Sequence, residues 1–75
     1  NNMNAELLEF IVKAGSPMCD KFIKDVNIPR SAIIGGVLRD GIGNIVLGSF
    51  KVREGDRVVV CSLPRSISKV EKLFL

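Results

Sequence analysis

The stretch that decides the fold is Arg57–Leu63, which reads RVVVCSL. It is short, rich in β-branched residues and apolar on both faces, which is typical of a strand inside a sheet rather than at its edge. Pro64 ends this strand, because proline cannot continue a hydrogen-bonded ladder. The following stretch, Arg65–Phe74, carries apolar residues at helical spacing. The sequence therefore predicts a central strand followed by a C-terminal helix.

A second buried strand is predicted upstream, at Ala32–Leu38, which reads AIIGGVL. Its two adjacent glycines indicate either a β-bulge or the close approach of another backbone, such as that of a second subunit. The strand is also more apolar than one small core requires, and an uncovered apolar strand is costly. We therefore expect a homodimer whose interface includes Ile33, Ile34, Gly35, Gly36 and Val37.

Turn sequences connect these two strands. Asp40-Gly41 between apolar runs is a strong hairpin signal, and it predicts a return strand at Asn44–Leu47. Phe50–Val52 is predicted to be a short extended piece. Arg53–Asp56 is predicted to be a tight turn in which Asp56 accepts hydrogen bonds from backbone N–H groups.

The N-terminal part of the chain predicts one strand and one helix. Glu6–Lys13 alternates like a strand, and Ser16-Pro17 is typical of a helix start. The helix would end at Asn27–Pro29. The predicted order is β-α-β-β-β-β-α, an α+β domain at 6–75 with a small mixed sheet of four to five strands and helices packed against it. Residues 1–5 are expected to be disordered or to originate from cloning.

Composition excludes several classes of protein. The chain has 75 residues, of which 47% are hydrophobic, so it is one domain and not a disordered segment. Its net charge of +3 comes from dispersed basic residues, and it has no Trp and no Tyr, which argues against nucleic-acid binding. No apolar run is long enough to cross a bilayer, so direct membrane insertion is not expected.

The chain has few residues of the types that usually act in catalysis or bind metal ions. The absence of histidine excludes the triads built on it, and two cysteines cannot supply a zinc site alone. We expect no catalytic activity, no metal site and no resident cofactor. Cys19 and Cys61 lie in apolar surroundings, which favours two reduced, buried thiols in the cytosol; a single bridge and a reactive thiol remain the alternatives.

Three strings in this order resemble a known family: EFIVKAGSP, NIPRSAIIGGVLRDG and KVREGDRVVVCSLPRSISKVEKLF. They are similar to the C-terminal regulatory domain (RCK_C) of TrkA-type potassium uptake proteins. The resemblance implies that the domain follows a Rossmann-like nucleotide-binding domain in a longer protein. It also implies a cytoplasmic location at the inner face of the cell membrane, where the whole protein gates a potassium transporter subunit.

The resemblance also implies an effector. Relatives that bind cyclic di-AMP use an Arg at the end of the central strand and an Asn on the return strand, and Arg39 and Asn44 come closest to that pattern here. A guanidinium can fork onto phosphate oxygens, and an Asn amide can read an adenine edge. Alternatively, Arg39 is a solvated turn charge and Asn44 is a turn former.

Two other functions compete with that of a transporter regulator: a stand-alone module that binds a cyclic dinucleotide, and a small nucleic-acid binder. As a turn residue, Arg39 is expected to tolerate replacement by Ala without loss of the fold.

Overall fold

The computed structural model describes residues 4–75, and within them the chain forms a four-stranded sheet and a C-terminal helix. The predicted α+β class is confirmed. The elements are β1 (Glu6–Ile11), β2 (Ala32–Arg39), β3 (Ile42–Asn44), β4 (Arg57–Ser62) and α1 (Ile67–Lys72). Of the separate terminus predicted at 1–5, residues 1–3 lie outside the described residues; Asn4 and Ala5 precede β1 without regular structure.

β4 lies inside the sheet, as its sequence predicts, and the strand order is β1-β4-β2-β3. Every neighbouring pair is antiparallel. The prediction of a mixed sheet was therefore wrong. β1 and β2 run in the same direction, but β4 is inserted between them and pairs antiparallel with both, so no parallel ladder forms.

One face of the sheet, here called the inner face, carries the core. Val37, Val58 and Val60 on this face are almost completely buried. Met18 and Val70 pack in the same cluster, Met18 from the loop after β1 and Val70 from α1. The predicted C-terminal helix is confirmed in shorter form, because a 3₁₀ turn at Pro64–Ser66 leads into α1.

The helix predicted from Ser16-Pro17 to Asn27 is not present; the segment consists of turns and a short 3₁₀ helix at Ile23–Asp25. Its amides are bound elsewhere. Asp20, Ile23 and Lys24 donate to the carbonyls of Val52, Phe50 and Gly48 at 2.8–3.0 Å. Asp20 also has a φ of 61°, in the left-handed region. The helical spacing of the apolar residues in this segment therefore reflects their burial and not a helix. The backbone amides are satisfied by hydrogen bonds to distant residues instead of by bonds within a helix.

The region between β2 and β4 differs in its boundaries from the prediction. The return strand is β3, which begins at Ile42 and ends at Asn44, so most of the predicted Asn44–Leu47 lies outside the ladder. Pairing stops opposite Val37, next to the register shift that interrupts β2 between Ile34 and Gly36. The predicted extended piece at 50–52 contributes one antiparallel bridge, between Lys51 and Phe22.

Candidate functional site

The β2–β3 hairpin holds both residues that the sequence proposes for ligand binding. Asp40 and Gly41 form its two-residue loop, with φ values of 53° and 78°. A tight hairpin loop of this kind needs positive φ at both positions, which Asp-Gly tolerates better than most pairs. The loop sets the pairing of Arg39 with Ile42, so Arg39 ends β2 and Asn44 ends β3.

Arg39 is held by contacts within the chain. Its Nε donates to Asp56 Oδ1 at 2.9 Å and its Nη2 to Asp56 Oδ2 at 2.7 Å. Nη2 also donates to the carbonyl of Lys51 at 2.9 Å. The guanidinium carbon lies 4.7 Å from the centroid of the Phe50 ring. One planar cation therefore ties the end of β2 to the segment that leads into β4.

Asp56 is the buried partner in this pair, with 3% of its side chain exposed against 32% for Arg39. It also accepts a hydrogen bond from the backbone N–H of Arg53 at 2.9 Å, so it caps its own turn as the sequence predicts. The hydrogen bond from Arg39 holds the pKa of Asp56 below its ordinary value, although burial opposes that shift. The same bond raises the pKa of Arg39.

These contacts correct two expectations about Arg39. It is not a solvated turn charge, since it forms a bidentate ion pair with a buried carboxylate. For the same reason its replacement by Ala is not expected to be tolerated, because the loss of one partner strands a buried charge. The sequence contained the carboxylate but no sign of the pairing, because 17 residues separate the two.

Asn44 also serves the hairpin. Its Nδ2 donates to the carbonyl of Ile42 at 3.1 Å and to that of Val37 at 3.4 Å. Asn44 is exposed and Arg39 is half-buried, so both residues border open surface. The hydrogen bonds of Asn44 point into the hairpin, whereas those of Arg39 point to Asp56 and Lys51.

The sheet face opposite the core, here called the outer sheet face, is open. Leu7, Cys61 and Ile33 lie side by side across β1, β4 and β2. Leu7 is 73% exposed and Ile33 is 65% exposed. No element within residues 4–75 packs over them. Leu7 was not predicted as a surface residue of interest. The alternation of Glu6–Lys13 places Leu8, Phe10 and Val12 on one apolar face, and Leu7 lies on the opposite face.

The residues predicted for a dimer interface divide between the two faces. Ile33 and Gly35 are exposed, and Gly35 lies at the β-bulge. Ile34 and Val37 instead pack in the core, because the alternation of a strand turns them to the inner face. The other prediction for the glycine pair, the close approach of another backbone, applies to Gly36. A Cβ there would lie 3.1 Å from the carbonyl oxygen of Asn44 in β3. The close backbone is that of this chain's own hairpin.

A shallow groove of about 370 Å³ connects the outer sheet face to the hairpin. Its walls are mainly apolar and glycine-rich, and they include Leu7, Gly36, Leu38, Asn44, Ile45 and Val59. Ile45 is 94% exposed. The groove therefore brings Asn44 next to apolar surface, whereas Arg39 is not among the residues that line it.

Other site types leave no trace in residues 4–75. Three or more His, Cys, Asp or Glu side chains do not converge there on a point that could hold a metal ion. Helices of the length and hydropathy that span a bilayer do not occur in that part of the chain either. Cys19 and Cys61 are free thiols, and both are half-buried rather than fully buried.

The sequence of the chain is similar to known proteins of one family. The sequence profile of the TrkA-C domain matches residues 7–75. The Trk system potassium uptake protein TrkA homolog 2 of Methanosarcina mazei is 36% identical over 70 residues, which cover 93% of this chain and 16% of that protein. The Trk system potassium uptake protein TrkA of Azorhizobium caulinodans is 33% identical, over 92% of this chain and 15% of that protein. The chain thus spans less than a fifth of these relatives.

A solved structure described as an RCK domain with cda has a similar fold. Its TM-score is 0.76, and the match covers 92% of this chain and 97% of that one. The two sequences are 14% identical, so this likeness concerns the fold alone.

Proposed function

The chain belongs to the TrkA-C domain family, and from that premise we propose that it is a regulatory domain of a Trk-type potassium uptake protein that acts by pairing with a second copy of itself. The observation that carries the pairing is the open outer sheet face, where Leu7 and Ile33 expose most of their side chains. Apolar patches of this kind on a small domain mark interaction surfaces.

A second copy is the occupant that fits the charges on this face. The charged side chains there are Glu9 and Arg57, which pair with each other at 3.0 Å. The face is therefore neutral, and two copies can meet through it without repulsion between like charges. A twofold pair uses the same patch on both subunits, so a single apolar patch is sufficient.

The remainder of the longer protein supplies the rest of the proposed role. In this proposal a Rossmann-like nucleotide-binding domain of the same protein precedes the pair, and a membrane potassium transporter subunit receives its signal. The domain then lies on the cytoplasmic side of the membrane and has a regulatory rather than a catalytic role.

Ile33→Lys tests the pairing. The substitution places two lysines at the centre of a twofold interface, and like charges there cost several kcal/mol. We expect the parent chain to sediment as a dimer at micromolar concentration. The dissociation constant of the variant should rise at least about a hundredfold.

Leu47→Lys is the matched control, because Leu47 is 75% exposed but follows β3 and is not part of the sheet. It should leave the dimer intact. A parent chain that sediments at 8.2 kDa, or a control that dissociates equally, would contradict the pairing. The same two variants can be compared in the Methanosarcina mazei protein after this chain replaces its matching segment. Potassium uptake should then respond to Ile33→Lys and not to Leu47→Lys.

A cyclic dinucleotide is the second candidate, as the effector of the pair. Two features support it: the groove beside Asn44, and the Nη1 group of Arg39, which makes no hydrogen bond within residues 4–75. Two subunits would present these groups symmetrically to a twofold ligand.

Arg39→Lys is the informative variant for this candidate. A lysine keeps a positive charge opposite Asp56 but lacks the second edge of the guanidinium. In calorimetric titration with cyclic di-AMP, we expect the affinity to fall about tenfold or more. Lys72→Arg, on the exposed surface of α1, should have no effect. Equal binding by the parent and Arg39→Lys would exclude Arg39 from the site.

A further inference from the structure

A second concave surface lies at the end of the sheet remote from Arg39. It is formed where the loop before β2 meets the turn that leads into α1. The pocket has a volume of about 420 Å³, within the range of small-molecule sites. It is lined by Asn27, Pro29, Arg30, Ser31, Arg65, Ser66 and Lys69.

Backbone hydrogen bonds fix the two walls of this pocket against each other. The N–H of Leu63 donates to the carbonyl of Ser31 at 2.9 Å, which joins the two segments directly. Within each wall, Ala32 N–H donates to Pro29 and Ser66 N–H donates to Leu63. The pocket is thus largely preformed, which lowers the entropic cost of filling it.

The charge of the pocket is of one sign. Arg30, Arg65 and Lys69 bring three positive charges, and no carboxylate lines the walls. None of the three forms an ion pair with a residue in 4–75, whereas Arg39 and Arg57 do. The chain has 11 basic and 8 acidic residues, so outside this pocket the two kinds are equal in number.

The uncharged polar groups in the walls also suit an anion. The hydroxyls of Ser31 and Ser66 and the amide of Asn27 can all donate hydrogen bonds. Ser66 is the buried member of this set, with 7% of its surface exposed. The guanidinium groups of Arg30 and Arg65 can each donate two parallel hydrogen bonds to a phosphate. A carboxylate-free pocket with this set of donors matches a phosphoryl group.

We propose that this pocket, formed by Arg30, Ser31, Arg65, Ser66 and Lys69, is a binding site for the phosphate group of a small phosphorylated metabolite. The pocket is larger than a phosphate ion, so the remainder of the ligand is a body of about nucleoside size. This site is remote from the hairpin and borders the outer sheet face, since Arg30 and Ser31 also line a shallow surface with Ile33 and Cys61. It does not depend on the pairing of two copies.

The test compares Lys69→Gln with Lys72→Gln. The two lysines lie three residues apart on α1 and are both exposed, but only Lys69 lines the pocket. The probes are inorganic phosphate, adenosine monophosphate and adenosine, titrated at constant salt and followed by NMR chemical shifts. Both variants remove one positive charge, so the general electrostatic attraction changes equally in both.

We expect adenosine monophosphate to bind, inorganic phosphate to bind more weakly at the same amides, and adenosine not to bind. Lys69→Gln should weaken binding about tenfold, the loss of one charge-assisted bond, and Lys72→Gln less than twofold. Arg65→Gln should repeat the effect of Lys69→Gln. The Ile33→Gln variant, which weakens the outer sheet face without adding a charge beside Arg30, should bind as the parent does, which separates this site from the proposed dimer. Absence of phosphate-dependent shifts around the pocket, or equal weakening by Lys69→Gln and Lys72→Gln, would overturn the proposal.

Discussion

Arg39→Ala is expected to lower the free energy of unfolding by about 3 kcal/mol, which is the cost of breaking a buried ion pair by removing one partner. The variant leaves the carboxylate of Asp56 buried and without its cation. A domain of this size has a total stability of only about 4–11 kcal/mol. The melting temperature should fall by roughly 12–24 °C. Urea unfolding followed by circular dichroism measures the change.

Arg57→Ala is the matched control, because Arg57 also forms an ion pair, with Glu9. Both of those side chains are about half exposed, and such pairs contribute about 0–1 kcal/mol. Both variants are best made in the Ile33→Lys background, so that pairing does not enter the measurement. Equal losses from Arg39→Ala and Arg57→Ala would show that the Arg39–Asp56 pair does not stabilise the fold.

The effect of Arg39→Ala should depend on pH in a defined direction. The folded-state pKa of Asp56 is lowered, so this pair stabilises the fold above the unfolded pKa of about 3.9. That contribution is lost as the pH falls through the folded-state pKa. In the variant, the buried carboxyl loses the hydrogen-bonded cation that lowers its pKa most. The difference in stability between parent and variant should therefore be largest near pH 7 and shrink in acid; a difference that is the same at pH 7 and pH 3 would contradict this assignment.

The sequence predicted best where local signals and the fold agree. β4 combines β-branched residues with apolar faces, and it occupies a central position with a strand on each side. Asp40-Gly41 specifies a tight hairpin, and both residues adopt the positive φ that such a loop requires. In these places the residue types leave few alternative conformations, so the pattern alone is sufficient.

Prediction failed where distant parts of the chain bind each other. Met18 is fully buried at helical spacing from its apolar neighbours, yet its N–H donates to the carbonyl of Leu73 rather than to a helix of its own. Arg39 and Asp56 come from two separate turn sequences; locally, the pattern indicates a solvated charge at Arg39 and an acceptor for its own turn at Asp56. The site depends on such long-range contacts, and a single sequence does not contain them.

The contact between Phe10 and Phe74 shows how β1, which carries Leu7 of the outer sheet face, is held in place. Phe10 lies in β1, the edge strand that carries Leu7, and Phe74 follows α1. The two rings stack with centroids 4.4 Å apart and an angle of 4° between their planes. β1 has hydrogen-bonded neighbours on one side only, so this stack holds its free edge against the core.

Phe74→Ala is therefore expected to destabilise the fold by about 3–5 kcal/mol, which combines lost burial with the cavity that remains. Phe74 is 5% exposed, whereas its neighbour Leu75 is 78% exposed. Leu75→Ala should change stability by no more than about 0.5 kcal/mol.

Hydrogen exchange locates the effect of Phe74→Ala within the fold. The amides of β1 should lose protection before those of β4, because β1 depends on Phe74 and on one neighbouring strand. If β1 is thereby loosened, Leu7 leaves its place beside Cys61 on the outer sheet face, and pairing through that face should weaken as well. Equal effects of Phe74→Ala and Leu75→Ala, or protection in β1 that is unchanged in Phe74→Ala, would refute this role for the stack.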